Sequence, residues 1–189
     1  MNKTILQYTN MEDREILKRV SESAENENST NTLISDLKDT LSNIKNGAGL
    51  AAPQIGVNTR VFITRNYRDD KPEKFLTFIN PEIKLKSKEK IMIPDGCLSI
   101  PNVQSKTIRH SYVKVSYLDE SFNKVEEELE GFQSVVFQHE LDHLNGILFL
   151  DLLKNEEQQQ VENFFVRQKN EPNIFYVEGK IIEMTLKNG

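Results

Sequence analysis

The stretch GFQSVVFQHELDHLNG, residues 131–146, decides the fold because it predicts a helix that must lie inside the protein. Its apolar residues recur at helical spacing, and Gly146 follows where the helix has to stop. One stripe along this helix holds three apolar side chains and two imidazoles, those of Phe132, Val135, Val136, His139 and His143. A polar ring without a partner in such a buried place costs about 1–3 kcal/mol. The pattern therefore predicts a central helix whose histidines have partners.

Within this helix, the segment QHELDH at 138–143 places two imidazoles on the same side. Residues four apart are about 40° apart around a helix axis, so His139 and His143 point the same way. Glu140 lies about 60° from His143, where its carboxylate can reach a water held by a metal instead of binding the metal. This is the HExxH arrangement. The competing interpretation is a helix with two half-buried histidines and an incidental glutamate.

The bulk composition restricts the class of protein. The chain has 189 residues, of which 37% are hydrophobic and 28% are charged, as in a water-soluble globular domain. No apolar run approaches the roughly 18 residues of a membrane span. The 24 basic and 29 acidic residues give a net charge of −5, and the scattered basic residues argue against nucleic-acid binding. We expect one domain over residues 1–189, with a small molecule or a peptide as its partner.

The start of the chain and its cysteine content indicate a reducing compartment. MNKTILQYTNMEDR has neither the apolar core of a secretion signal nor the Arg-rich, acid-poor character of a matrix presequence. Cys97 is the only cysteine, so its thiol is free for packing, redox chemistry or metal binding. We therefore expect a cytoplasmic protein.

Helices near both ends of the chain are predicted to enclose a block of short strands. Besides the central helix, helices are predicted at 11–20, 33–44 and 152–168, with a solvated polar loop, SESAENENSTN, at 21–31. Short β-like runs fill residues 60–118, one more strand is expected at 124–130, and a hairpin turning at Glu178 and Gly179 is expected within 173–186. This order predicts an α+β fold in which mainly antiparallel strands pack around the helix that carries HExxH.

A catalytic metal site usually takes three protein ligands, so the two histidines need a third. An extended HExxHxxGxxH motif fails because Phe149 stands at the position of its last histidine. Glu162, on the predicted C-terminal helix, would be the ligand of a thermolysin-like peptidase. Cys97 is the other candidate, and a metal would deprotonate its thiol.

The segment MIPDGCLSIP, residues 92–101, presents Cys97 in unusual surroundings. Free cysteines usually just pack in a protein interior. Here Gly96 removes side-chain bulk beside the thiol, and Pro94 and Pro101 stiffen the chain on either side. These neighbours favour a thiol that is held in place for chemistry.

A third notable stretch is GAGLAAPQIG, residues 47–56. Small residues in series are poor at building a core, so we expect either a simple connection or a close approach of the backbone to a ligand. The stretch lacks the Lys-Ser/Thr of a phosphate-binding loop and follows no predicted strand, which disfavours nucleotide binding. Gln54 is its one long polar side chain, and a carboxamide can donate a hydrogen bond to an oxyanion.

Together, GAGLAAPQ, GCLS and QHELDH resemble the three signature motifs of the peptide deformylases, in that family's order and at compatible separations. The resemblance runs from Ile5 to Leu153 and leaves the tail from Lys154 unassigned. It implies hydrolytic removal of the formyl group from the N-terminal formylmethionine of newly made polypeptides. One motif departs from the family, which usually has Glu-Gly-Cys-Leu-Ser, because Asp95 stands in place of the glutamate.

The resemblance also implies the catalytic apparatus. One divalent metal per chain would be bound by Cys97, His139 and His143, usually iron(II), with zinc, nickel or cobalt able to take its place. Metal-bound hydroxide would attack the formyl carbon, with Glu140 first as general base and then as general acid. The oxyanion would be met by the metal, the Gln54 amide and the Leu98 backbone N–H.

The resemblance places the formylated peptide along the small-residue stretch, whose backbone at Ala48 and Gly49 would pair with an extended chain. The substrate-binding candidates are Gly47, Ala48, Gly49, Ile93, Gly96, Arg109, Phe132, Val135 and Val136. We expect a monomer that acts on nascent chains, with the ribosome as a candidate site of action. Two alternatives stay open: a zinc peptidase that uses Glu162, and a non-catalytic protein that binds a formylated peptide or holds a metal for stability.

Overall fold

The computed structural model describes residues 1–67 and 75–183 and confirms the predicted α+β class. Two sheets have the strand orders β1-β2-β3-β6-β7 and β4-β5-β8-β9, and all neighbouring strands are antiparallel except the pair β5 and β8. The strands are β1 (Gly49–Ala51), β2 (Val61–Arg65), β3 (Phe75–Lys86), β4 (Lys90–Cys97), β5 (Ile100–His110), β6 (Tyr112–Leu118), β7 (Lys124–Glu130), β8 (Ile174–Val177) and β9 (Lys180–Glu183).

Four helices accompany the sheets within the described part of the chain, and three of them differ from the predicted bounds, the second by running over 28–42 instead of 33–44. They are α1 (Met11–Leu17), α2 (Asn28–Ser42), α3 (Gly131–Leu144) and α4 (Asn155–Gln168). The first ends before the predicted Val20. The last begins after the predicted Leu152, because the Asp151 carboxylate accepts the Leu148 N–H at 2.7 Å and closes a separate 3-10 turn over Phe149–Leu152. Each helix in the described ranges is too short or too polar to cross a membrane.

The polar stretch at 21–31 is exposed at most positions, as its composition predicts, but only part of it is a loop. Helix α2 already begins at Asn28, and Ser21 and Ala24 are buried. The Ser21 N–H donates to the Leu144 carbonyl at 2.8 Å, and the Ala24 N–H donates to the Asn80 side chain at 2.8 Å. Distant parts of the chain therefore satisfy its backbone, which allows the segment to pack without many apolar side chains.

The C-terminal hairpin forms as predicted and pairs Val177 with Lys180. Its two turn residues, Glu178 and Gly179, both have positive φ, 46° and 83°, as a type I′ turn requires. The end of the predicted hairpin, residues 184–186, lies outside the described residues.

Helix α3 packs against strands of both sheets, namely β1, β2, β6 and β7 of one and β5 of the other. It is buried on nearly all sides, so the single buried stripe that the sequence predicts is too narrow. Its buried residues are Gln133, Ser134, Val135, Val136, Phe137, Gln138, His139, Glu140, Leu141, His143 and Leu144. Phe132, expected in the stripe, is instead 46% exposed.

The polar residues of α3 tolerate burial because neighbouring strands supply their hydrogen bonds. The Gln133 amide donates to Thr64 Oγ1 at 2.9 Å. The Gln138 amide donates to the His110 carbonyl at 2.8 Å, and its oxygen accepts the His110 N–H at 3.1 Å. These bonds fix the helix between the sheets and so fix the positions of the two histidines that α3 carries, His139 and His143.

The small-residue stretch 47–56 belongs to the core, which corrects the expectation that it would build core poorly. It forms β1 and a 3-10 turn at Ala52–Ile55, and Leu50, Ala51 and Ala52 are fully buried. Strand β1 packs against both α2 and α3. Small side chains allow this close packing of a strand between two helices.

Candidate metal and active site

Three side chains from two distant parts of the sequence bring metal-ligand atoms together. The donor atoms of Cys97, His139 and His143 all lie within 4.8 Å of one another. Cys97 Sγ is 3.3 Å from His143 Nε2, and the two imidazole rings have centroids 5.0 Å apart. A thiolate and two imidazoles converging in this way fit iron(II), zinc and other first-row divalent ions.

The thiol of Cys97 is presented by a hairpin. Strand β4 ends at Cys97 and β5 begins at Ile100, with a register shift between Gly96 and Cys97 that bends the strand end. Pro94 is accommodated because β4 is an edge strand, where a missing N–H leaves no neighbour unpaired. The local sequence thus holds the half-buried thiol at the tip of the hairpin, facing α3.

Glu162, the alternative third ligand, lies elsewhere. The Tyr8 hydroxyl donates to Glu162 Oε1 at 2.8 Å, and Arg14 Nη2 is 3.7 Å from the same oxygen. The structure brings Cys97 to the two histidines and leaves Glu162 in a surface ion pair, so the geometry of a thermolysin-like site is not present among the described residues.

Asp95 occupies the centre of a buried network that we call the Asp95 cluster, formed by Asp95, Thr107, Arg109 and Asp142. Oδ1 of Asp95 accepts the His139 Nδ1–H at 2.8 Å. Oδ2 accepts the Thr107 hydroxyl at 2.7 Å and Arg109 Nη2 at 2.9 Å. Burial by itself would raise the pKa of Asp95, but His139, Arg109 and Thr107 together hold that pKa well below its usual range. The cluster keeps Asp95 charged and aims His139 at the metal site.

Arg109 was expected to contact substrate, and the structure places it away from the cleft. It is 4% exposed, and its guanidinium is paired with Asp95 on one side and with Asp142 Oδ2 at 2.8 Å on the other. Arg109 therefore uses its guanidinium hydrogen bonds within the Asp95 cluster. Ile93, another substrate candidate, is half-buried in β4 and is not among the residues that line the cleft.

A cleft of about 370 Å³ opens beside the candidate metal site and is lined by two of its three side chains, Cys97 and His139. The expected residues that line it are Gly47, Ala48, Gly49, Gln54, Gly96, Cys97, Leu98, Phe132, Val135, Val136, His139 and Glu140. Asn46, Pro94, Asp95 and Gln104 also line it and were not among the residues expected to contact substrate. Phe132 meets Tyr67 edge to face, with ring centroids 4.9 Å apart, which gives the half-exposed ring a fixed place in the wall.

The Gln54 amide is held in one orientation. Its oxygen accepts the Ala51 N–H at 2.9 Å, which turns Nε2 toward Ser99 Oγ at 3.3 Å and Cys97 Sγ at 3.5 Å. The N-terminal segment ties down both loops, because the Leu6 N–H donates to the Gln54 carbonyl and the Tyr8 N–H to the Ser99 carbonyl, each at 2.8 Å. The Gln54 amide therefore directs a donor toward Cys97, where it can serve an oxyanion.

Glu140 is buried beside the ligands with one oxygen unused. Among the described residues, none hydrogen-bonds to its Oε2. A Cβ on Gly49 would lie 2.5 Å from Glu140 Oε1, so only glycine leaves room for the carboxylate at that point of β1. Burial raises the pKa of Glu140 to about 7. A carboxyl group with such a pKa can both accept and donate a proton at neutral pH.

Comparison with known proteins places this arrangement in a family. The family model for polypeptide deformylase matches residues 3–159. The chain is 41% identical to a peptide deformylase of Pseudothermotoga lettingae over 155 residues, which cover 82% of this chain and 84% of the relative. A Legionella pneumophila peptide deformylase structure has a TM-score of 0.79 at 31% identity, covering 91% of this chain and 98% of that one. A Met-Ala-Ser-bound class I type b peptide deformylase from Acinetobacter baumannii has a TM-score of 0.72 at 31% identity, covering 81% and 99%. The present chain belongs to the polypeptide deformylase family.

Proposed function

We propose that this enzyme removes the formyl group from N-formylmethionine at the start of new polypeptides, with a divalent metal held by Cys97, His139 and His143. The observation that carries the proposal is the position of Glu140, buried with an oxygen that has no partner among the described residues, in the cleft that Cys97 and His139 also line. That combination of an open-sided ligand set and a proton-transfer group is what metal-assisted hydrolysis needs.

The metal is a divalent ion, with iron(II) as the physiological candidate and zinc, nickel or cobalt as substitutes, since thiolate and imidazole suit all four. When bound, such an ion supplies Lewis acidity, which polarises a carbonyl oxygen and lowers the pKa of water. The buried carboxylate of Asp95 fixes the orientation of the His139 ring for this purpose.

The protein's own groups then move the protons. Glu140 takes a proton from the attacking water as the water oxygen adds to the formyl carbon. It later gives that proton to the methionine nitrogen as the C–N bond breaks. The products are a free amine and formic acid, which releases its remaining proton to solvent and becomes formate. As negative charge develops on the formyl oxygen, the Gln54 amide and the Leu98 N–H donate to it, and one such donor contributes about 10²–10³ in rate.

The peptide is proposed to lie along β1. This strand pairs with β2 on one side and ends the sheet on the other, so an extended chain can add to its free edge near Ala48 and Gly49. Phe132, Val135 and Val136 supply the apolar wall of the cleft for a methionine side chain. The Met-Ala-Ser peptide bound by the Acinetobacter baumannii enzyme begins with methionine and supports this substrate class.

The direct test is formate release from formyl-Met-Ala-Ser by anaerobically purified, metal-loaded protein, with acetyl-Met-Ala-Ser as the matched control. We expect formate from the first peptide and no acetate from the second. Absence of turnover in fully loaded protein would instead favour the non-catalytic alternative.

A second measurement separates the deformylase from the peptidase alternative. Cys97→Ala should lose the bound metal, whereas Glu162→Ala should retain about one ion per chain, because Glu162 is engaged with Tyr8 and Arg14. The reverse result would restore Glu162 as the ligand. A single domain over 1–189, cytoplasmic location, the monomeric state and action at the ribosome stay predictions.

A further inference from the structure

We infer that Thr107 is a positioning residue for the metal ligand His139, acting through Asp95, and that its hydroxyl compensates for the short side chain at position 95. The inference rests on the proposed metal site and deepens it. It concerns this chain's own departure from the Glu-Gly-Cys-Leu-Ser motif, since aspartate is shorter than glutamate by one C–C bond, about 1.5 Å.

The geometry gives the two oxygens of Asp95 separate tasks. Within the described ranges, Oδ1 accepts a hydrogen bond from the His139 N–H alone, at 2.8 Å. Oδ2 takes the Thr107 hydroxyl at 2.7 Å and the Arg109 guanidinium, with Nη2 at 2.9 Å and Nε at 3.2 Å. The carboxylate is therefore held at one oxygen so that the other can hold the imidazole.

The sheet register brings Thr107 to this position. Asp95 pairs with Ser105 across β4 and β5, so Thr107 is its diagonal neighbour on the same face of the sheet. Thr107 is 2% exposed, and Asp95 is the acceptor of its hydroxyl. Because threonine is stiff at χ1, the hydroxyl has little freedom to leave its acceptor.

Two donors that approach one oxygen from different residues constrain the carboxylate more than Arg109 does alone. Without the hydroxyl, the short side chain of Asp95 is free to turn toward the guanidinium and to lengthen its bond to His139. Losing an outer partner of a metal-bound histidine typically weakens metal binding by about 10–100-fold. If Thr107 only fills space, a valine of the same shape should leave metal binding unchanged.

The test uses Co²⁺ as the probe, with affinity measured by competition against a chelator and ligand geometry followed by the visible absorption spectrum of the cobalt protein. We expect Thr107→Val to bind Co²⁺ about tenfold more weakly or worse and to shift the spectrum. Thr107→Ser, which keeps the hydroxyl, should restore both. Urea unfolding of the metal-free variants shows whether a change in affinity is instead a change in folding.

A second pair of variants tests the compensation. In an Asp95→Glu background the longer carboxylate reaches His139 unaided, so Thr107→Val should then cost less than threefold in Co²⁺ affinity. An equal loss in both backgrounds, or a Thr107→Val protein that matches wild type in affinity and spectrum, would overturn the inference. Those results leave formate release by wild type intact, whereas failure of wild type to bind cobalt would overturn the proposed function as well.

Discussion

Two buried carboxylates are neighbours of His139. Asp95 is hydrogen-bonded to its ring, and Glu140 follows it in the sequence. The surroundings of the two carboxylates differ. Asp95 accepts hydrogen bonds at both oxygens from His139, Thr107 and Arg109, and its pKa is held low. Glu140 is equally buried, but its Oε2 has no partner among the described residues and burial raises its pKa to about 7. Burial with donors keeps a carboxylate charged, whereas burial without donors prepares one to exchange a proton.

This difference indicates different roles for the Asp95 cluster and for the surroundings of Glu140. The Asp95 cluster is a scaffold that orients His139, a proposed metal ligand, and breaking it should affect stability and metal binding. The surroundings of Glu140 are arranged for chemistry at some cost in stability, since an unpaired buried carboxylate is unfavourable. Variants of the first region should therefore change folding more, and variants of the second should change turnover more.

The largest effect on folding is expected from Arg109→Leu. It leaves the buried Asp95 and the half-buried Asp142 without their cation, which should lower the free energy of unfolding by about 3–5 kcal/mol in urea titrations. Arg167→Gln is the matched control, because it removes an exposed pair with Glu171 and should cost less than about 1 kcal/mol. Equal effects of the two variants would show that the Asp95 cluster is not a scaffold.

Gly49→Ala is the sharpest test of the space around Glu140. The added methyl would lie 2.5 Å from Oε1 and must displace the carboxylate. A displacement of about 1 Å can cost up to about 100-fold in rate, so formate release should fall by that order. The metal content per chain should stay at the wild-type value, because the three atoms nearest to the added methyl all belong to Glu140. Turnover equal to wild type would mean that the position of Glu140 is unimportant.

The smallest effect is expected from the hydrogen bond between Tyr8 and Glu162, a half-exposed carboxylate outside the Cys-His-His set. Burial and the hydrogen bond to Glu162 raise the pKa of Tyr8 from 10.0 to about 12. The neutral phenol is favoured in the folded state, so this contribution is complete below pH 10 and is lost as pH rises to about 12. Tyr8→Phe should flatten that part of the stability curve by less than about 1 kcal/mol. An unchanged curve would show that the Tyr8 bond contributes nothing.

The sequence predicts the local parts of the site well. His139, Glu140 and His143 share one side of a helix because their spacing is that of a helix, and no distant contact is needed to see it. Cys97 is different, because only the fold brings the β4–β5 hairpin to α3. Sequence spacing alone did not decide between Cys97 and Glu162 as the third metal ligand. The resemblance to a family favoured Cys97.

What the sequence does not predict depends on register and on distant partners. Thr107 faces Asp95 because β4 and β5 pair in one particular register. Arg109 turns inward because its guanidinium also forms an ion pair with Asp142 of α3. The segment at 21–31 is ordered by Asn80 and Leu144, which no local pattern connects to it. Each of these contacts joins residues far apart in the chain, where hydrophobic periodicity carries no information.

The central claim is that Glu140 acts in chemistry and not in holding the fold or the metal. It is tested most directly by the rate of formate release by Glu140→Gln, measured at a metal content matched to wild type. We predict a fall of about 10²–10⁴-fold, with about one metal per chain retained and a urea midpoint no lower than that of wild type. A rate within a few-fold of wild type at equal metal content would contradict the account.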